Sequence, residues 1–379
     1  MEFAKLGKGF CTLALAFALC APAANAAETI KIGVIGAQSG DTASYGMPSL
    51  QAARVLAKEV NARGGVLGRM VEVIPQDSAC KAEMATNAAT KLISERVDVV
   101  MGPSCSGPTK SAMPIFQNAN VVVISPTATA PGLTLDGKMP LFFRTVANDL
   151  AQARLTSKFL HEVLKVRKVA YIHDNDDYGK GFADTNKKYL EEAGVETALF
   201  EAINPQAVDF SSTVQKLRRV KPDVVVFGGY QPVASKLVRQ MRRDRLNVPM
   251  IGPDGLKDET FLKMTGKDSE GVYASYPKDT SALPLYAKAR KDFVDEYKQE
   301  PGFGYYNAYA AIQCLLAAIE KTGGTDTAKI VDALHTNPVE TPLGKLTFNK
   351  FGDAAGMALS IYQVQGGKYV ELEHNIVLE

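Results

Sequence analysis

Charge of one sign is missing from this 379-residue chain, because 43 Lys and Arg stand against 41 Asp and Glu for a formal net charge of +2. A protein that grips a polyanion ordinarily carries a basic face or tail. No run of like charges supplies one, so nucleic acid is not an expected partner. Metal-ligating residues are scarce too. The histidines, His161, His173, His335 and His374, lie at no metal-ligand spacing and the five cysteines are scattered, so neither a metal nor a cofactor is expected. No Gly-x-Gly-x-x-Gly or Walker pattern occurs. Gly102-Pro-Ser-Cys-Ser106-Gly comes close to a nucleophile elbow but misses its Gly-x-Ser-x-Gly spacing. With no activated nucleophile and no metal cluster, the chain is expected not to be an enzyme. Nor does any apolar run approach the roughly 20 residues that a bilayer demands.

What is present describes a globular, exported protein. Apolar residues make up 46% and charged residues 22%, an ordinary folding composition. Residues 1–26 read as a secretory signal: Lys5 and Lys8 precede an apolar core from Phe10 to Ala21, and Ala24-Asn25-Ala26 offers a cleavage site near Ala26. Leu19 before Cys20 is too bulky for lipid attachment, so the mature chain is expected to be soluble. Export places Cys80, Cys105 and Cys314 in an oxidising compartment. Cys80 and Cys105 follow two predicted strands, Met70–Gln76 and Val97–Gly102, expected side by side in a parallel sheet, and are the plausible disulfide. Cys314 sits in an apolar helical run, Tyr309–Ile319, and reads as a buried free thiol.

From Thr29 onward, short apolar strands alternate with amphipathic helices. One series has strands at 30–36, 71–74, 97–101 and 121–124, with helices at 49–61 and 82–94. A second has strands at 168–172, 223–227 and 249–251, with helices at 180–193 and 234–243. This rhythm predicts an α/β fold with two Rossmann-like lobes, each a parallel sheet covered on both faces. Ligands of such sheets bind beyond the carboxyl ends of the strands. In the first series those ends carry Tyr45, Ser106, Thr127 and Thr129; in the second, Tyr178, Tyr230 and Asp254. Ser106 before Pro108 is a helix-start pattern whose free amides make an anion seat. Asp254 across the cleft suits an ammonium group, and the tyrosines suit a side chain. Together they fit a zwitterion, an α-amino acid, each pole of which needs a partner once buried. Singly the same residues have plainer readings: Ser106 as a helix cap, Asp254-Gly255 as a turn, a lone tyrosine as wall.

Ile32-Gly-Val-Ile-Gly-Ala-Gln-Ser-Gly, Gly64-Gly-Val-Leu-Gly, Ser125-Pro-Thr-Ala-Thr-Ala-Pro, Tyr178-Gly, Gly228-Gly-Tyr and Gly252-Pro-Asp-Gly occur in this order. Across nearly the whole mature chain the sequence resembles the periplasmic branched-chain amino-acid binding proteins of ABC transporters, the type I solute-binding family. The resemblance implies lobes that close like a Venus flytrap about a three-strand hinge, with crossings near residues 147, 278 and 357. One lobe is then 27–147 with 279–357, and the other 148–278 with 358–379. It places the ligand carboxylate on Ser106 and the backbone near Thr129. The ammonium goes to the Thr127 carbonyl, the Thr129 hydroxyl and Asp254, and Tyr45, Tyr178 and Tyr230 line the pocket. It also places the disulfide on Cys80 and Cys105, and implies a monomer that delivers its solute to an inner-membrane permease. Two positions depart from the usual pattern: Asp254 stands where Glu is common and Thr127 where Ala or Ser is. Leu, Ile or Val is the expected ligand. Another amino acid, an amide or an aromatic carboxylate, or a sensing role, remains open on the same fold.

Overall fold

The computed structural model describes residues 29–377, with side chains described to residue 372. The signal segment, its cleavage site near Ala26, Cys11 and Cys20 lie outside the described residues.

Two sheets organise the chain. The first takes strands β1 (Ile30–Gly36), β2 (Val71–Asp77), β3 (Val99–Met101), β4 (Val122–Ser125) and β5 (Phe142–Arg144) in the order β2-β1-β3-β4-β5, all parallel. The second begins with β6 (Lys168–His173), β7 (Glu196–Ala202), β8 (Val224–Gly228), β9 (Met250–Gly252) and β10 (Tyr273–Pro277). After a small antiparallel sheet of β11 (Val339–Thr341), β12 (Gly344–Phe348) and β13 (Ala354–Ala355), the chain returns to it as the hairpin β14 (Ala358–Gln365) and β15 (Lys368–Val377). The order is β15-β14-β10-β9-β8-β6-β7, with β14 and β15 antiparallel to their neighbours.

Around the first sheet lie α1 (Met47–Ala62), α2 (Ala82–Ser94) and α3 (Ser106–Asn118); the second carries α4 (Asp149–Lys158), α5 (Asp177–Glu192), α6 (Ser211–Val220), α7 (Gln231–Arg243) and α8 (Glu259–Thr265). The chain then returns to the first sheet with α9 (Pro284–Tyr297), α10 (Tyr305–Thr322) and α11 (Thr327–Thr336). Strand alternation sorts the core. Ile30, Ile32 and Val34 of β1 face α1 and α10, while Ile35 turns to the opposite side with Ala88, Leu92 and Met113. The second sheet does the same, with Ile172 and Phe227 on one side and Tyr171 and Val226 on the other. Cys314 is buried in α10 among Ile312, Leu315 and Leu316.

Cys80 and Cys105 are joined, with Cα atoms 5.6 Å apart. The strands that precede them are not neighbours, however, since β1 lies between β2 and β3 and pairs with both. The disulfide therefore bridges over the carboxyl end of β1, where the Ser78 amide donates to the Gly36 carbonyl at 2.8 Å. Glycine permits this crowding. A side chain on Gly102, whose φ is +110°, would sit 1.9 Å from the Ile35 carbonyl, closer than any Cβ can come.

Candidate ligand cleft

The carboxyl ends of both sheets face one cleft. On the first side, β3 ends in Gly102-Pro-Ser-Cys and α3 begins at Ser106. Cys105, not Ser106, occupies the N-cap position, which corrects the helix-start reading by one residue. The Ser106 Oγ instead accepts the Ala130 amide at 3.1 Å, tying the α3 start to the loop after β4. Burial raises the Tyr230 hydroxyl strongly, and the Ser106 amide, the seat expected for an anion, lowers it slightly from the opposite side. The Thr127 hydroxyl donates to the Ser104 carbonyl at 2.7 Å, and the Thr129 hydroxyl to Asp149 Oδ2 at 3.0 Å.

On the second side, Asp254 opens a short turn after β9 and is 2% exposed. Its Oδ1 accepts the Tyr178 hydroxyl at 2.7 Å, and its amide donates to Gln152 Oε1 at 3.0 Å. The Gln152 Nε2 donates to Asp149 Oδ1, also at 3.0 Å. A chain of bonds thus links Thr129, Asp149, Gln152 and Asp254 across the base of the cleft. Tyr45 crosses it as well: its hydroxyl donates to the Gly255 carbonyl at 2.7 Å and accepts the Gln231 amide at 2.9 Å. Tyr230 sits between two other tyrosines, with ring centres 5.4 Å from Tyr45 and 4.9 Å from Tyr178.

Burial sets the electrostatics. It pushes the Asp254 carboxyl up to about 6, although Tyr178, Gln152 and the Gly255 amide pull back toward the ionised form. Asp149 is raised strongly, first by burial and then by the Asp254 charge, against help from Thr129 and Arg144. Two buried carboxylates joined through Gln152 disfavour ionisation, and a cation beside Asp254 would relieve it.

The cleft is bounded by Tyr45, Ser104, Thr127, Tyr178, Tyr230, Asp254, Gly255 and Phe303 and encloses about 10 Å³, barely room for a water molecule. Five of the seven expected residues, Tyr45, Thr127, Tyr178, Tyr230 and Asp254, therefore line it directly, and Ser106 and Thr129 adjoin it through the bonds above. A broader, open groove of about 500 Å³ lies beside Asp174–Asp176 and residues 202–205 at the ends of β6 and β7. It gathers none of the seven.

The sequence reading missed Ser104, Phe303, Asp149 and Gln152. Phe303, whose ring centre is 5.0 Å from Tyr45, comes from the loop before α10, far along the chain from any strand end. Asp149 follows Asn148, whose side chain caps α4, and that N-cap pattern was a signal available in the sequence.

Among the described residues no group of three or more His, Cys, Asp or Glu could hold a metal ion, and no helix is long and apolar enough to cross a membrane.

Residues 29–368 match the periplasmic binding protein family. A leucine-, isoleucine-, valine-, threonine- and alanine-binding protein of Pseudomonas aeruginosa is 34% identical over 92% of this chain and 94% of its own. The Leu/Ile/Val-binding protein of Escherichia coli is 32% identical over 94% and 96%. Among solved structures, a branched-chain amino acid transporter substrate binding protein of Streptococcus pneumoniae, in complex with isoleucine, superposes with a TM-score of 0.82. It is 26% identical and aligns over 91% of this chain and 100% of that one. A leucine binding protein from Thermotoga maritima shares the fold, with a TM-score of 0.84 at 24% identity over 92% and 99%. With its paired parallel sheets and a cleft between them, this chain belongs to the periplasmic binding protein family.

Proposed function

We propose that the protein captures a branched-chain α-amino acid in this cleft and hands it to an ABC transporter permease. The observation that carries the reading is the convergence of opposite chemistries at one buried point. Amides and hydroxyls come from the first sheet, and a carboxylate and tyrosines from the second. The ligand carboxylate takes the Ser106 amide and hydroxyl and the backbone near Thr129. The ammonium takes the Thr127 carbonyl, the Thr129 hydroxyl and Asp254, with Asp149 behind Thr129 adding negative potential. Tyr45, Tyr178 and Tyr230 close over the aliphatic chain.

A cavity of about 10 Å³ holds no amino acid, so entry requires the lobes to part. We take residues 27–147 with 279–357 as one body and 148–278 with 358–379 as the other, turning about the three crossings between the sheets. Closure is driven because the second lobe adds Asp254 and its tyrosines only when shut. The protein is not an enzyme in this reading, and it works as a monomer in the periplasm after cleavage near Ala26. Its relatives are named for the solutes they bind.

A thermal-shift panel tests the reading. Leu, Ile and Val are expected to raise Tm, and benzoate and simple amides to leave it unmoved. The opposite pattern would refute it.

A further inference from the structure

Outside the cleft, α3 of the first sheet and α5 of the second meet near their N-terminal ends. Lys110, in the second turn of α3, pairs with Asp177, the first residue of α5, at 3.0 Å. Asp176, one residue earlier, caps α5 with Oδ1, which accepts the Tyr178 amide at 3.1 Å. Its Oδ2 turns toward α3. A Cβ on Gly107, the second residue of that helix, would stand 3.0 Å from this oxygen, so glycine leaves the space that the carboxylate occupies. None of these charged groups lines the ligand cleft.

The charges are complementary. A helix N-terminus carries partial positive charge, and two of them face one corner here. Helix α3 has no acidic residue in its own first turn, so the carboxylates at its start come from α5. Asp176 and Asp177 thus meet both helix starts as well as Lys110. Burial raises the Asp176 carboxyl, and the Tyr178 amide and the Lys110 charge draw it back down.

We propose that this corner is an electrostatic latch on closure, in which Asp176 and Asp177 grip α3 through Lys110 and the helix start at Gly107. Residues that touch no ligand then set how tightly it is held. The inference rests on the lobe closure proposed above, which puts α3 in one body and α5 in the other, and it adds what keeps them shut. When the lobes part, Lys110 and Asp177 separate into water and Asp176 leaves the start of α3. Only the closed form has these contacts, and affinity scales with the ease of reaching that form. Leucine enters the open form, so the latch slows its departure and leaves its arrival unchanged.

The test is stopped-flow tyrosine fluorescence and calorimetric titration of the full protein with L-leucine. Lys110→Met is expected to raise the dissociation rate and Kd together by roughly 3-fold. Lys110→Glu, which sets a third carboxylate against two, should raise them roughly 10-fold, with association within about 2-fold of the wild type. Asp177→Lys added to Lys110→Glu should bring Kd back to within about 3-fold, a restoration that misfolding would not allow. Asp176→Asn keeps the cap and should weaken binding roughly 3-fold. If Lys110→Glu binds leucine within about 2-fold of the wild type, the latch is overturned. A loss that the added Asp177→Lys leaves uncorrected overturns it too, as does slower association with unchanged dissociation, which would mean steering by charge. X-ray scattering of the wild type separates the latch from closure itself. A radius of gyration that shrinks with leucine while the variants bind normally removes the latch alone, whereas an unchanged radius removes both.

Discussion

At the scale of single residues, Asp254 bears the largest burden. Its carboxyl is pushed from 3.8 to about 6 by burial, so the folded protein resists its ionisation. At neutral pH that resistance costs about 3 kcal/mol of stability. The penalty is full above about pH 6, shrinks as pH falls from 6 toward 4, and vanishes below. Asp254→Asn removes the charge and preserves the shape. Its Tm without ligand is expected to rise by a few degrees at pH 7.5, while leucine affinity falls by about 100-fold or more; calorimetry and a thermal scan measure the two. A fall in both would mean that Asp254 is structural. The same titration sets a pH profile. The ammonium needs the ionised carboxylate, so affinity for leucine is expected to be flat above about pH 7 and to decline as pH drops through 6. Titration between pH 5 and 8 checks it. Asp254, Thr127 and the three tyrosines were legible in the sequence because each follows a strand, and open sheets put ligands there. Phe303 was not, since only the folded return of α10 brings its loop back to the cleft.

At the scale of elements, alternation of strands and helices predicted four of the five strands of the first sheet and three of the seven of the second, missing β5, β7, β10, β14 and β15, and boundaries moved by a few residues. Helices α5 and α7 begin three residues earlier than their apolar spacing suggests, at Asp177 and Gln231. Asp176 caps the first by accepting the Tyr178 amide, and Pro232 sets the first turn of the second. Strand order was beyond sequence, because β1 pairs on both sides and no local pattern says so. A buried ion pair holds the loop after β4 in place. Arg144, at the end of β5 and fully buried, pairs with Asp353 and donates to the carbonyls of Ala128 and Ala130 at 3.1 and 2.9 Å. It thereby fixes the segment that presents Thr127 and Thr129. Arg144→Met leaves Asp353 without its cation and two carbonyls unbonded. The expected loss is about 3–5 kcal/mol in urea unfolding. A loss below about 1 kcal/mol would show that the network is dispensable.

At the scale of the whole molecule, the cleft lies between two lobes, and tyrosine hydroxyls bridge it in the absence of ligand, one of them on the carboxylate that the ligand is proposed to take. Tyr178 bonds Asp254 and Tyr45 bonds the Gly255 carbonyl. In the proposed binding mode the ligand ammonium exchanges with the Tyr178 hydroxyl on Asp254, so that closing motion and specificity become one process. X-ray scattering is expected to show a smaller radius of gyration with saturating leucine than without it; equal radii would contradict lobe closure. The central claim, that one lobe holds the negative pole of the ligand and the other the positive pole, is tested most directly by calorimetric titration with leucine, 4-methylpentanoate and isoamylamine. The analogues retain the side chain and delete one pole each. Leucine is predicted to bind at least about 100-fold more tightly than either, because each deletion leaves a buried polar or charged group unpaired. If 4-methylpentanoate binds as tightly as leucine, the ammonium seat at Asp254 is wrong and the account fails.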